Sequence, residues 1–183
     1  MAAEIPEAIR QQLDRDLSSL RERLPRARWV PPENWHLTLK FIGAVWPRLV
    51  DDVRRALGEV GMAHAPFQTR LAAVGAFPSE RHARVVWAGL DDQDGRIGAI
   101  ASDLDAVLAE FAKREDRPFS PHLTVARLRI PAPIEGDLRA LRNVSSDPFP
   151  LDRVVLYRSH LRRPFPIYEP VGTFRLGREW PGH

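Results

Sequence analysis

Histidine and threonine two residues apart occur twice in this chain, as His36-Leu37-Thr38-Leu39 and His122-Leu123-Thr124-Val125. The chain has only six His and four Thr, and two of each sit in these pairs. Chance pairing at that composition gives about 0.13 occurrences, so two copies are a signal. In a strand, residues two apart project from the same face. Two such strands across a groove would set two imidazoles beside two hydroxyls. An imidazole titrates near pH 6.5, so one can be neutral while the other is charged, which supplies a general base and a general acid. The threonine hydroxyls can donate to the non-bridging oxygens of a bound anion. The chemistry that uses all four groups is in-line displacement at phosphorus: an activated water on one side, a protonated leaving oxygen on the other.

The two motifs lie about half the chain apart and read as an internal duplication, each half bringing one His and one Thr to a shared site. Neither motif has a carboxylate at ligand spacing, which disfavours zinc. A Ser/His/Asp triad leaves one of two symmetric histidines unexplained. The other histidines read as structural or solvated: His64 in a loop, His82 in a charged hairpin turn, His160 in a basic turn beside Arg158, Arg162 and Arg163, and His183 at the terminus.

The elements that must position the motifs follow from periodicity. Ile9, Leu13, Leu17, Leu20 and Leu24 predict a helix from Pro6 to Leu24, ended by Pro25. Arg28 to Pro32 reads as a connection. Trp35 to Ile42 alternates like a strand, with Trp35, Leu37, Leu39 and Phe41 on one face and His36, Thr38 and Lys40 on the other. Pro47 opens a second helix through Leu49, Val53 and Leu57, ending near Gly58 or Gly61. Phe67 to Phe77 and Arg84 to Leu90 predict a strand pair joined through Pro78-Ser79-Glu80. A third helix spans Ile97 to Phe111, and Phe119 to Ile130 is the second motif strand. A short helix covers Ile134 to Leu141, and Phe149 to Tyr157 and Tyr168 to Leu176 are closing strands. Strands and helices do not alternate regularly, so the expected class is α+β with antiparallel sheets. Residues 1–183 are read as one domain of two pseudo-symmetric lobes.

Length and composition suit a globular domain with a real core. No apolar run approaches the ~18–20 residues of a membrane span, and the N-terminus lacks a signal-peptide layout, so a cytoplasmic location is expected. Without cysteine there is no disulfide framework and no thiolate chemistry. The net charge of +3 and the pI near 9.9 suit a polyanionic partner. Nearly all the positive charge is arginine; the lysines are Lys40 and Lys113. A GC-rich genome would produce this bias too, but it still leaves the surface rich in forks that match phosphate oxygens.

Longer stretches carry a resemblance. Arg28-Trp29-Val30-Pro31-Pro32-Glu33-Asn34 leads into the first motif. Gly75-Ala76-Phe77-Pro78, Arg84-Val85-Val86-Trp87-Ala88-Gly89-Leu90, Arg117-Pro118-Phe119-Ser120-Pro121-His122 and Val155-Leu156-Tyr157-Arg158-Ser159 follow. Together they resemble the two-histidine (2H) phosphoesterases over nearly the whole chain. Within these they resemble the RNA 2′,3′-cyclic phosphodiesterases, historically labelled 2′-5′ RNA ligases. The resemblance implies a bilobal α+β fold of pseudo-twofold symmetry, with helices outside and a groove between two antiparallel sheets. It implies metal-independent hydrolysis of 2′,3′-cyclic phosphate ends to 2′-phosphate ends, without a cofactor. His36 would be the proton donor and His122 the proton acceptor, with Thr38, Thr124 and Arg127 holding the phosphate. Strict alternation puts Arg127 on the face opposite His122, so its role requires the strand to end or bulge there. The implied partners are RNA with a 2′,3′-cyclic phosphate end, tRNA fragments among them, or small cyclic nucleotides, met by a monomer away from membranes. Reversible 2′-5′ ligation in the same groove and a non-catalytic RNA-end binder are the alternatives. Family members open with a short strand ahead of the first helix. Met1-Ala2-Ala3-Glu4-Ile5-Pro6 starts inside or just after it, so a shortened sheet is expected.

Overall fold

The computed structural model describes residues 1–114 and 116–177; His183 lies outside them. In chain order the elements are β1 (Ala2–Glu4), α1 (Glu7–Asp16), α2 (Ser18–Arg23), β2 (Arg28–Trp29), β3 (His36–Thr38), α3 (Val50–Ala63), β4 (Phe67–Thr69), β5 (Leu71–Phe77), β6 (Ala83–Leu90), α4 (Arg96–Val107), β7 (His122–Ala132), α5 (Glu135–Leu138), β8 (Phe149–Leu151), β9 (Arg153–His160) and β10 (Ile167–Arg175).

Two four-stranded sheets dominate, ordered β10-β9-β1-β3 and β2-β7-β6-β5, with β4 and β8 forming a small third. The pairings within them are antiparallel, as the irregular order of helices and strands implies. Each large sheet carries one His-x-Thr strand, β3 at the edge of one and β7 inside the other. The apolar sides of the helices supply the core: Ile9 and Leu13 of α1, Val53, Leu57 and Val60 of α3, Ile97, Ile100 and Leu104 of α4. Asp92 starts α4, its two carboxylate oxygens accepting from the backbone N–H groups of Ile97 at 2.7 Å and Gly98 at 2.9 Å.

Several sequence expectations are corrected. The N-terminal strand expected to be cut short is in place: β1 runs between β3 and β9, pairing Ala2 with Thr38, Ala3 with Leu37 and Glu4 with His36. Its two alanines are buried, and a strand of three residues is too short to leave a periodic signal. Arg28 to Pro32 is not merely a connection, because Arg28–Trp29 adds an edge strand to β7. The first motif strand is shorter than Trp35 to Ile42. Alternation stops after Leu39: Phe41 is 73% exposed and Lys40 only 2% exposed. The Lys40 ammonium turns inward, donates to Asp105 and to the carbonyl of Lys113, and so ties the end of β3 to α4 and the segment beyond it.

The first predicted helix is broken at Leu17 into α1 and α2. The second runs past both glycines read as stops. A Cβ on Gly58 would meet open space, whereas one on Gly61 would stand 2.7 Å from the Arg175 carbonyl oxygen. Gly61 therefore permits α3 to close on β10 rather than ending it. The predicted strand from Phe67 to Phe77 is two strands, and the first of them pairs with β8 instead of β6. The third helix stops at Val107, and β7 starts at His122 rather than Phe119.

Candidate active site

Strand geometry sends His36 and Thr38 from one face of β3, and His122 and Thr124 from one face of β7. The four side chains line a common groove of about 230 Å³ between the two large sheets. All five residues singled out from the sequence meet there, Arg127 included.

Arg127 reaches the groove because β7 carries a bulge. Along the β6–β7 ladder Trp87 faces Thr124 and Val86 faces Ala126, so Val125 has no opposite residue. One extra residue reverses the alternation beyond it and turns Arg127 to the histidine side. The carbonyl of Val125 instead accepts from the Val30 N–H at 2.9 Å, in the segment that joins β2 to β3.

The two imidazoles are held in the same way. His36 Nδ1 donates to the carbonyl of Asn34 at 2.9 Å, and His122 Nδ1 donates to the carbonyl of Ser120 at 2.7 Å. A carbonyl only accepts, so in each ring Nδ1 carries a proton and Nε2 is the nitrogen left to exchange one. Each ring also meets an aromatic ring at a steep angle. Tyr168 stands 4.7 Å from His36 at 76°, and Phe77 stands 5.1 Å from His122 at 82°. Phe77 is backed in turn by Trp87 at 5.3 Å. Gly75 and Gly89 make room for the Trp87 ring; a Cβ on Gly75 would lie 2.4 Å from it.

Burial pushes the His36 imidazole below the usual histidine value, an effect that its bond to the Asn34 carbonyl partly offsets. A bound anion would act in the opposite direction, since negative charge beside an imidazole favours the protonated form.

Sequence reading missed other residues of the groove. Arg28, on β2, is registered with Arg127 and stacks over the Phe165 ring at 4.4 Å from its centroid. Asn34 and Tyr168 also line the groove. Arg28, Asn34 and Tyr168 are reachable from the sequence only through the resemblance or as members of ordinary elements, because pairings across the fold bring them in. One compositional clue existed: the chain has two tyrosines, Tyr157 and Tyr168, and both rings lie near His36. Two of the histidines outside the motifs have partners elsewhere; His64 bonds Asp103 at 2.8 Å and His160 bonds Glu169 at 2.7 Å. Among the described residues no three His, Cys, Asp or Glu side chains gather as a metal cluster would require, and no helix is long and apolar enough to cross a membrane.

Two antiparallel sheets that each bring a His-x-Thr pair to one groove agree with what comparison finds. The family model described as LigT like phosphoesterase matches residues 4–87 and 90–168, and the chain belongs to this family. It is 30% identical over 182 residues to a protein of Methanothermobacter thermautotrophicus named RNA 2′,3′-cyclic phosphodiesterase, with 96% of this chain and 97% of that one covered. Among solved structures, TT0787 of Thermus thermophilus superposes with a TM-score of 0.80 at 29% identity, covering 97% of each chain. E. coli LigT complexed with 3′-AMP does so with a TM-score of 0.73 at 25% identity, covering 97% of this chain and 96% of that one.

Proposed function

We propose that this protein hydrolyses RNA 2′,3′-cyclic phosphate ends to 2′-phosphate ends, with His36 as proton donor and His122 as proton acceptor. The observation that carries the reading is the matched pair of imidazoles. Each has Nδ1–H committed to a backbone carbonyl and Nε2 left for proton exchange, beside a groove that also holds two hydroxyls and two guanidinium groups. His122 takes a proton from water as its oxygen attacks phosphorus. The bond from phosphorus to the 3′ oxygen breaks, and His36 supplies the proton that oxygen needs. Thr38, Thr124 and Arg127 hold the non-bridging oxygens, where charge builds during displacement. Arg28 adds a second guanidinium on the same wall.

Two supports come from the relatives: the name of the Methanothermobacter protein and the 3′-AMP bound to E. coli LigT. Both motifs belong to one chain and both line its groove, so a monomer suffices. The donor set favours a reaction without a metal, because imidazoles whose Nδ1 atoms are occupied and two hydroxyls make a poor ligand cluster.

The test is product analysis on an oligonucleotide that ends in a 2′,3′-cyclic phosphate, with EDTA present. A 2′-phosphate end is the expected product. Soluble His36→Ala and His122→Ala should each lose about 10²-fold or more in rate, since each removes one proton-transfer partner. Near-normal turnover in either variant, or activity lost to EDTA and restored by zinc or manganese, would overturn the mechanism. Joining to an added RNA with a 5′-hydroxyl end would assign the groove to ligation instead.

A further inference from the structure

A second cleft, of about 570 Å³, opens on the far side of His36. It shares His36, Asn34 and Tyr168 with the phosphate groove, so the two cavities are continuous past the imidazole. Its walls include Tyr157 and Tyr168, whose rings lie 6.1 Å apart and are both partly exposed. Its charged lining is Glu4, Arg10, Glu33, Asp152 and Arg153. Glu4 is the residue registered opposite His36 on the neighbouring strand. The Tyr157 hydroxyl donates to Glu4 Oε1 at 2.8 Å. Arg153 is already engaged by Asp152 through two bonds of 2.7 and 2.9 Å.

We propose that this cleft seats the base of the terminal nucleotide and that Glu4 reads the edge of that base. The inference rests on the roles given above to the two histidines. In a 2′,3′-cyclic phosphate the leaving 3′ oxygen stays on the ribose of the same nucleotide. If His36 protonates that oxygen, the ribose lies on the His36 side of the phosphorus. The base, carried on the same ribose, continues in that direction into the cleft. There Tyr157 and Tyr168 offer ring surface, which any base can use. Glu4 supplies the discrimination. Arg10 lines the same cleft as a donor, but the carboxylate only accepts and the Tyr157 hydroxyl has spent its single proton on it, so the Glu4–Tyr157 pair is an acceptor-only contact. Guanine answers it best, with adjacent N1–H and N2–H donors for the carboxylate. Adenine and cytosine offer one amino group each. Uracil offers a single N3–H flanked by two carbonyl oxygens that the carboxylate repels, so it is the least favoured.

The experiment measures kcat/KM for the four nucleoside 2′,3′-cyclic phosphates, and Kd for the four nucleoside 2′-monophosphates, in the wild type and in Glu4→Gln. Guanosine should exceed uridine by about tenfold or more in the wild type, as expected for hydrogen bonds to a charged group. The difference should lie in KM and Kd rather than kcat. In Glu4→Gln the ratio should fall to within about threefold, because an amide both donates and accepts. Ratios within one preparation are unaffected by partial unfolding. A flat or uridine-favouring wild-type profile overturns the proposal, as does an unchanged profile in Glu4→Gln. Absence of turnover with every substrate would remove the hydrolytic reading alone. The Kd series would then decide the base seat, supporting it if the guanosine preference disappears with Glu4→Gln and overturning it otherwise.

Discussion

His36 is the residue whose environment makes the sharpest demand on the chemistry. In the role proposed for it His36 must donate a proton, yet burial lowers its value in the free protein. The two facts are reconciled by the substrate. An anionic phosphodiester in the groove favours the imidazolium, so the acid is charged on binding. The sign of the effect gives a test. Protonated His36 is lost as pH rises, and it therefore sets the alkaline limb of the rate profile. In kcat/KM, which reports the free protein, that limb should fall below the ordinary value of about 6.5. In kcat, which reports the complex, it should move to higher pH. His36→Ala should lose the alkaline limb and keep the acidic one. An alkaline limb at the same pH in both parameters, or one that survives in His36→Ala, would mean that another group donates the proton.

At the scale of elements, glycine in a helix has two opposite meanings, and α3 contains both. Gly58 sits where an added Cβ meets nothing, so Gly58→Ala should raise stability by about 0.5–1 kcal/mol through helix propensity. Gly61 lies against the backbone of β10, and Gly61→Ala should lower stability by about 1–3 kcal/mol as the helix is pushed off the sheet. Urea unfolding of the two variants checks both signs; a loss in both would mean that α3 has no room on either side. Composition alone treats these glycines alike, which is why both read as helix stops. The same limit applies elsewhere. The His and Thr pairs are legible because local alternation within a strand decides their common face. The direction of Arg127 is not, because it depends on a bulge set by pairing β7 against β6. Arg28 and Tyr168 join the groove from β2 and β10, through strand pairings across the chain that leave no local pattern. The strand β1 escapes a reading by periodicity because three residues are too few to show a period.

Over the whole molecule, the excess of arginine becomes a matter of placement. Arg28 and Arg127 face the groove. Arg158, Arg162 and Arg163 are exposed at the β9–β10 end, immediately before Phe165 and Pro166, which form part of the groove wall. An RNA whose last phosphate lies between the histidines must leave the groove toward one rim, and this rim offers exposed arginines. Upstream phosphates would displace counterions there, and each such contact adds a log–log salt slope of about −0.7 for a single strand. With two or three contacts, KM for an oligonucleotide should carry a slope magnitude of about 1.4–2.1 between low and physiological salt. A nucleoside 2′,3′-cyclic phosphate meets only the groove and should show a much shallower dependence. Arg162→Ala and Arg163→Ala should each flatten the oligonucleotide slope by about 0.7 or less, and leave the mononucleotide untouched. Equal and shallow slopes for both substrates would mean that the protein grips the terminal nucleotide alone. In that case the basic rim has no part in binding, and small cyclic nucleotides displace RNA as the favoured substrate.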